Sequence, residues 1–239
     1  MDLAISVSAG RCARGLALII ALIIVASVGA SFLSFIQISD PFLREVRESI
    51  VRLLWVDGEG NVPAWYSAVL LFLCALLLAA ITLAQHHQAD GKLSGWLFLT
   101  LIFFFLSLDE IAQFHELSIT PLRTRFELTG FFHYAWIVPA TLAVVLFVLA
   151  YAKFIARLPA RTRQLFLLAG AVYIAGALGV EAVSGKQASL HGEHNLTYHA
   201  IITVEELFEM AGITLFLYSL LDYIGRQFSG LTFHITSDT

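Results

Sequence analysis

Charge is what this sequence has least of. Only 13% of its 239 residues are Asp, Glu, Lys or Arg, against roughly 25% in a soluble domain, which excludes an ordinary water-facing globular surface. Basic residues are the scarcer sign, with 14 Lys and Arg against 18 acids and a net charge of −4. No basic cluster able to track phosphates occurs, so nucleic acid is excluded as a partner. Two cysteines, Cys12 and Cys74, make neither a disulfide framework nor a thiolate metal motif. No internal repeat and no linker divides the chain, which leaves a single domain.

What is there is hydrocarbon. Apolar residues make up 59% of the chain and the mean hydropathy is +0.82, the composition of an integral membrane protein whose main partner is the lipid bilayer. The runs predict an all-α polytopic bundle of six transmembrane helices, at about 16–35, 68–83, 93–115, 131–151, 165–183 and 198–224. The first is read as an uncleaved span, because the apolar run continues past the small residues at Ala30. A short amphipathic helix at about 41–55 is expected on the membrane surface between the first two spans, with Asp40-Pro41 as its start. DGEGNVP, Asp57 to Pro63, reads as a turn, and Asp57 and Glu59 as turn residues. Pro139 is expected to kink the fourth span. The small residues Ala169 to Gly179 suit the fifth to close helix packing, and Leu231 to Ile235 alternates like a small strand.

Lys and Arg are in modest excess on the side holding both termini, chiefly through Lys153, Arg157, Arg161 and Arg163. This predicts a multi-pass protein of the cell inner membrane with cytoplasmic N- and C-termini. The acids inside the spans then fall on the outer side together: Asp109 and Glu110 on the third span, Glu181 on the fifth, Glu205, Glu206 and Glu209 on the sixth. At about 1.5 Å per residue, Glu110 lies roughly 10 Å below Leu117 and Glu206 roughly 12 Å below Tyr198, so their depths match.

No Lys or Arg lies at that depth, and an unpaired carboxylate in hydrocarbon costs about 2.5 to 3.5 kcal/mol even on lenient scales. Something positive is therefore expected there. The candidate metal ligands are Asp109, Glu110, Glu181, His199, Glu205, Glu206 and Glu209, with His115, Glu116, His191 and His194 less secure. The cofactor would be one or two divalent ions, iron, manganese or zinc, since facing Glu and His side chains are how bundles hold such metals. The paired Glu-x-x-His of di-iron bundles is missing, and on an ideal helix His115 points away from Asp109 unless the third span unwinds near its end. The alternatives are a solvated vestibule without a specific cation, a proton or cation pathway through the same carboxylates, and a non-catalytic subunit whose acidic face meets a membrane-protein partner or a second copy.

GEGNVPAWYS at Gly58 to Ser67, SLDEIAQFHE at Ser107 to Glu116 and VEELFEMAG at Val204 to Gly212 together resemble a group of uncharacterised bacterial multi-pass inner-membrane proteins. The resemblance implies that Asp109, Glu110, His115, Glu116, Glu205, Glu206 and Glu209 belong to one pattern, and it names no reaction. LDE at Leu108 to Glu110 is also similar to the zinc-dependent membrane hydrolases of the alkaline ceramidase type. Their His-x-x-x-His pair is absent, because His194 and His199 are one residue too far apart. The functional expectation is a carboxylate and histidine site binding divalent metal, with metal-dependent chemistry on a lipid-like substrate as its enzymatic form.

Overall fold

The computed structural model describes residues 7–86 and 93–228. Among the described residues the chain is all-helical, with eight helices and no strand. They are α1 (Ala9–Ser34), α2 (Pro41–Leu54), α3 (Val62–His86), α4 (Leu93–Ala112), α5 (Ile119–Phe126), α6 (Ile137–Arg157), α7 (Ala160–His191) and α8 (Leu196–Gln227). Five of them, α1, α3, α4, α6 and α7, are long and apolar enough to cross a membrane. The sixth expected span corresponds to α8, which stands apart from those five. Its first half carries three glutamates, and it forms the axis of the bundle, packed against α1, α3 and α7. The strand expected at Leu231 to Ile235 lies outside the described residues.

Sequence chemistry explains the helix boundaries. Asp40 caps α2, its Oδ1 accepting the Leu43 N–H at 2.9 Å with Pro41 at the first helical position. Asn195 caps α8 by accepting from Tyr198 N at 2.9 Å. The fourth span starts later than expected, at Ile137, and this corrects the reading of Pro139. The proline falls in the first turn, where a backbone N–H has no intrahelical acceptor, so its missing donor breaks no hydrogen bond. Gly130 to Trp136 instead form a 3-10 turn and loop that fold across the end of the bundle.

In lipid, helices gain little from hiding apolar surface from one another, and close packing has to hold them. The contact between α7 and α8 is built that way. A Cβ on Gly212 would lie 2.7 Å from Tyr173 N, and one on Gly176 would lie 2.8 Å from Glu205 O. Around Gly176, residues Ala175–Val180 form a π-helical bulge within α7, and the wider turn sets Tyr173, Ala177 and Glu181 along one wall. Towards the end away from the acids, Cys74, Leu78, Ile81, Met210 and Leu220 are wholly buried and close the centre of the bundle.

Candidate functional site

At the opposite end, α4, α6, α7 and α8 splay around a cavity of about 680 Å³. Ten carboxylates line it: Asp57, Glu59, Asp109, Glu110, Glu116, Glu181, Glu193, Glu205, Glu206 and Glu209. Among the described residues no Lys or Arg does, and His115 is the one lining side chain able to carry positive charge near neutral pH. The six acids expected at membrane depth thus face one space, although they come from three helices far apart in sequence.

The deeper acids differ in what holds them. Trp136 Nε1–H donates to Glu181 Oε1, and Ser184 Oγ–H lies 2.9 Å from Glu205 Oε2. Glu110, Glu206 and Glu209 are half-buried and line the cavity. They accept no hydrogen bond from any donor among the described residues.

His115 reaches the site because α4 ends early. The helix stops at Ala112, Gln113 takes the left-handed conformation with φ of 58°, and the chain turns back over the helix end. Asp109 Oδ1 then accepts the His115 N–H at 3.0 Å, and Oδ2 accepts Nδ1–H at 2.9 Å. Burial by itself would lower the His115 pKa, but this hydrogen bond and the charges of Asp109, Glu59 and Glu116 outweigh it and raise the pKa. With Nδ1 committed to Asp109, Nε2 is the nitrogen left to accept a metal or proton. His115, Glu59 and Glu116 bring one ligand atom each within 4.8 Å of one another.

Glu59 and Asp57 lie in the turn expected there, and their side chains also line the cavity. Val56 is the reason: its side chain is buried among Ala188, Tyr198 and Ile202, and its N–H donates to Ser27 Oγ at 3.1 Å. Asn61 fixes the far end of the loop, donating to Trp55 O at 2.6 Å while its Oδ1 accepts from Ala64 N at 3.1 Å. Held at both ends, the loop turns its two carboxylates into the cavity mouth. Burial pushes the Glu59 pKa up to about 7, with His115 pulling it down and Glu116, Asp109 and Asp57 pushing it further up. Its Oε2 is buried and meets no hydrogen-bond partner among the described residues. Asp57 is exposed at the cavity mouth, and partial desolvation of its carboxylate raises its pKa against hydrogen bonds from Tyr198 and Trp55. Its Oδ2 accepts from Tyr198 Oη at 3.1 Å, and that phenol lies 2.7 Å from Tyr134 Oη. The sequence held one signal for Glu59, its place inside the Gly58 to Ser67 segment, but nothing local to say which way it faces.

The remaining histidines lie elsewhere. His199, expected beside the carboxylates, is buried against α1. Its Nδ1 lies 2.6 Å from Ser31 Oγ, and its ring packs on Trp55 and Phe35 with centroids 4.0 and 5.1 Å away. At its height on α8 the neighbours are loop aromatics, not the acidic helices. His194 stacks on Phe35 at 4.6 Å, and His191 is exposed at the end of α7. None of the three lines the cavity.

A family model described as a domain of unknown function, DUF8692, matches residues 15–223. No curated protein and no solved structure matches the chain.

Proposed function

The chain belongs to that family of unknown function, and we propose a role for it from the site: a multi-pass inner-membrane protein that binds a divalent metal ion, iron, manganese or zinc, at the mouth of a lipid-facing cavity. Glu59, His115 and Glu116 are the ligands, and Asp109 orients the imidazole. The observation that carries this reading is the unpartnered buried Oε2 of Glu59 beside a histidine whose other nitrogen is held by a carboxylate. A ligating histidine almost always has such a partner, which fixes its tautomer and raises its basicity. One imidazole and carboxylate oxygens suit first-row divalent metals. Glu110, Glu181, Glu205, Glu206 and Glu209 lie deeper and set the negative potential around the metal.

A metal so placed would supply Lewis-acid activation of water or of a polar headgroup. Tyr134, Tyr198 and Asp57 supply a hydrogen-bonded rim beside it. Beyond Glu209 the centre of the bundle is closed by Met210, Ile213, Leu217 and Leu220, which favours a blind binding cavity over a pathway through the membrane. The orientation with cytoplasmic termini rests on the Lys and Arg asymmetry between the two sides.

Elemental analysis of the purified full chain tests the proposal. Wild type should retain on the order of one equivalent of a transition metal, and Glu59→Gln should lose most of it. Less than about 0.2 equivalents in wild type after incubation with each of the three metals, unchanged by Glu59→Gln, would sink it.

A further inference from the structure

A metal at the mouth leaves the floor of the cavity without a counter-ion. Glu110, Glu206 and Glu209 converge there, half-buried and without hydrogen-bond donors among the described residues, whereas Glu181 and Glu205 have Trp136 and Ser184. The rest of the lining includes hydrocarbon: Phe105 and Leu106 of α4, and Ala140, Ala143 and Val144 of α6. The aromatic and hydrogen-bond contacts joining α4 to α6 lie at the two ends of the pair. At one end Tyr151 Oη–H donates to Gly95 O at 2.9 Å and Phe154 packs on Trp96, and at the other His115 meets Trp136. Between them the pair is loosely joined, and Phe105 is 53% exposed.

A ligand for this floor has to satisfy two demands at once. It must be positive, because the acids exclude an anionic head and no basic residue lines the cavity to receive one. It must also be weakly hydrated and apolar, because its path between α4 and α6 starts in lipid. We propose that the cavity binds a lipophilic cation, a hydrocarbon-soluble molecule bearing one positive head, taken laterally from the bilayer between α4 and α6. The head sits on Glu206, Glu209 and Glu110 beside the Tyr173 ring, and the apolar body lies along Phe105, Ala143 and Val144. This deepens the lipid-facing reading of the same cavity and uses none of the three residues named as metal ligands.

Equilibrium dialysis of tetraphenylphosphonium against the purified full chain in neutral detergent, with chelator present, tests it; tetraphenylborate is the anionic isostere. Saturable binding of the phosphonium and none of the borate is expected, and Glu206→Gln should weaken it roughly tenfold to a hundredfold, the loss of one carboxylate's Coulombic attraction for the cation in a partly desolvated site. Ala143→Trp, which fills the gap between the helices, should reduce binding to a similar extent with metal content unchanged. Equal uptake of both ions, or phosphonium binding indifferent to both substitutions, overturns the proposal. Metal content is read on chelator-free aliquots of the same preparations: loss of phosphonium binding with metal retained removes this inference alone, and absence of metal with phosphonium binding intact removes only the metal.

Discussion

Replacing Gly212 by alanine adds a single methyl group where α7 and α8 touch. That carbon would sit 2.7 Å from Tyr173 N and 2.8 Å from both Cα and Cβ of Tyr173. Ordinary carbon contacts lie at about 3.5 to 4.0 Å, so the helices must part by roughly 1 Å. The obstruction is backbone, so no side chain can swing aside. Overpacking of this kind costs about 1 to 3 kcal/mol, and alanine returns up to about 1 kcal/mol of helix propensity. A net loss of up to about 2 kcal/mol follows, or a melting temperature lower by as much as several degrees for a chain of this size. Gly170→Ala is the matched control, because a Cβ there has nothing within 4 Å and only the propensity gain remains. Tyr173 also lines the cavity, so Gly212→Ala should weaken tetraphenylphosphonium binding and Gly170→Ala should not. Thermal melts of the two purified variants, followed by helicity, decide it. If Gly212→Ala melts with Gly170→Ala, the close contact that sets the cavity wall is refuted.

Protonation gives a second expectation. In the folded chain desolvation holds Asp57 and Glu59 at about 6 and about 7, above their ordinary 3.8 and 4.5. The folded state therefore binds these protons more tightly than the unfolded one, and metal-free protein should be most stable below those ordinary values, losing stability as pH rises until the penalty is complete above about 7. His115, raised by Asp109 against the effect of burial, acts in the same direction, since its protonated form is favoured by folding. Melting temperatures of chelator-treated protein that rise with pH through this window would contradict the placement of both carboxylates. Saturating metal should restore about 2.7 kcal/mol at a hundredfold excess over Kd, chiefly at the upper end of the range. Finally, Asp109→Asn should weaken metal binding about 10- to 100-fold through loss of the imidazole's partner, while His199→Gln should leave metal content unchanged and cost about 1 kcal/mol of stability. Loss of metal from His199→Gln would show that His199 reaches the site after all.

Local properties of the chain made much of this readable in advance. Membrane helices announce themselves by runs of apolar residues, and the matched depths of Glu110 and Glu206 follow from the rise per residue alone. Neighbours are another matter. His199 and Glu206 lie within about 20° of each other on an ideal helix, yet one meets Ser31 and Trp55 while the other faces the cavity. The angle around a helix names a face, and the partner on that face changes from turn to turn. Pro139 was legible as a proline and not as a first-turn residue, because the start of α6 depends on how Gly130 to Trp136 fold over the bundle.

The sequence by itself determined that this chain lives in a membrane as helices, and that its acids lie at one depth with no basic residue to neutralise them. Both follow from hydrophobicity and spacing, which are properties of short segments. Only the tertiary structure decided which acids have donors, that Asp57 and Glu59 enter the site, and that His115 belongs to it. Those outcomes turn on a buried Val56, a left-handed Gln113 and a π-bulge against Gly176. Val56 and the bulge are held by contacts with residues distant in sequence, and the turn at Gln113 by the pairing of Asp109 with His115.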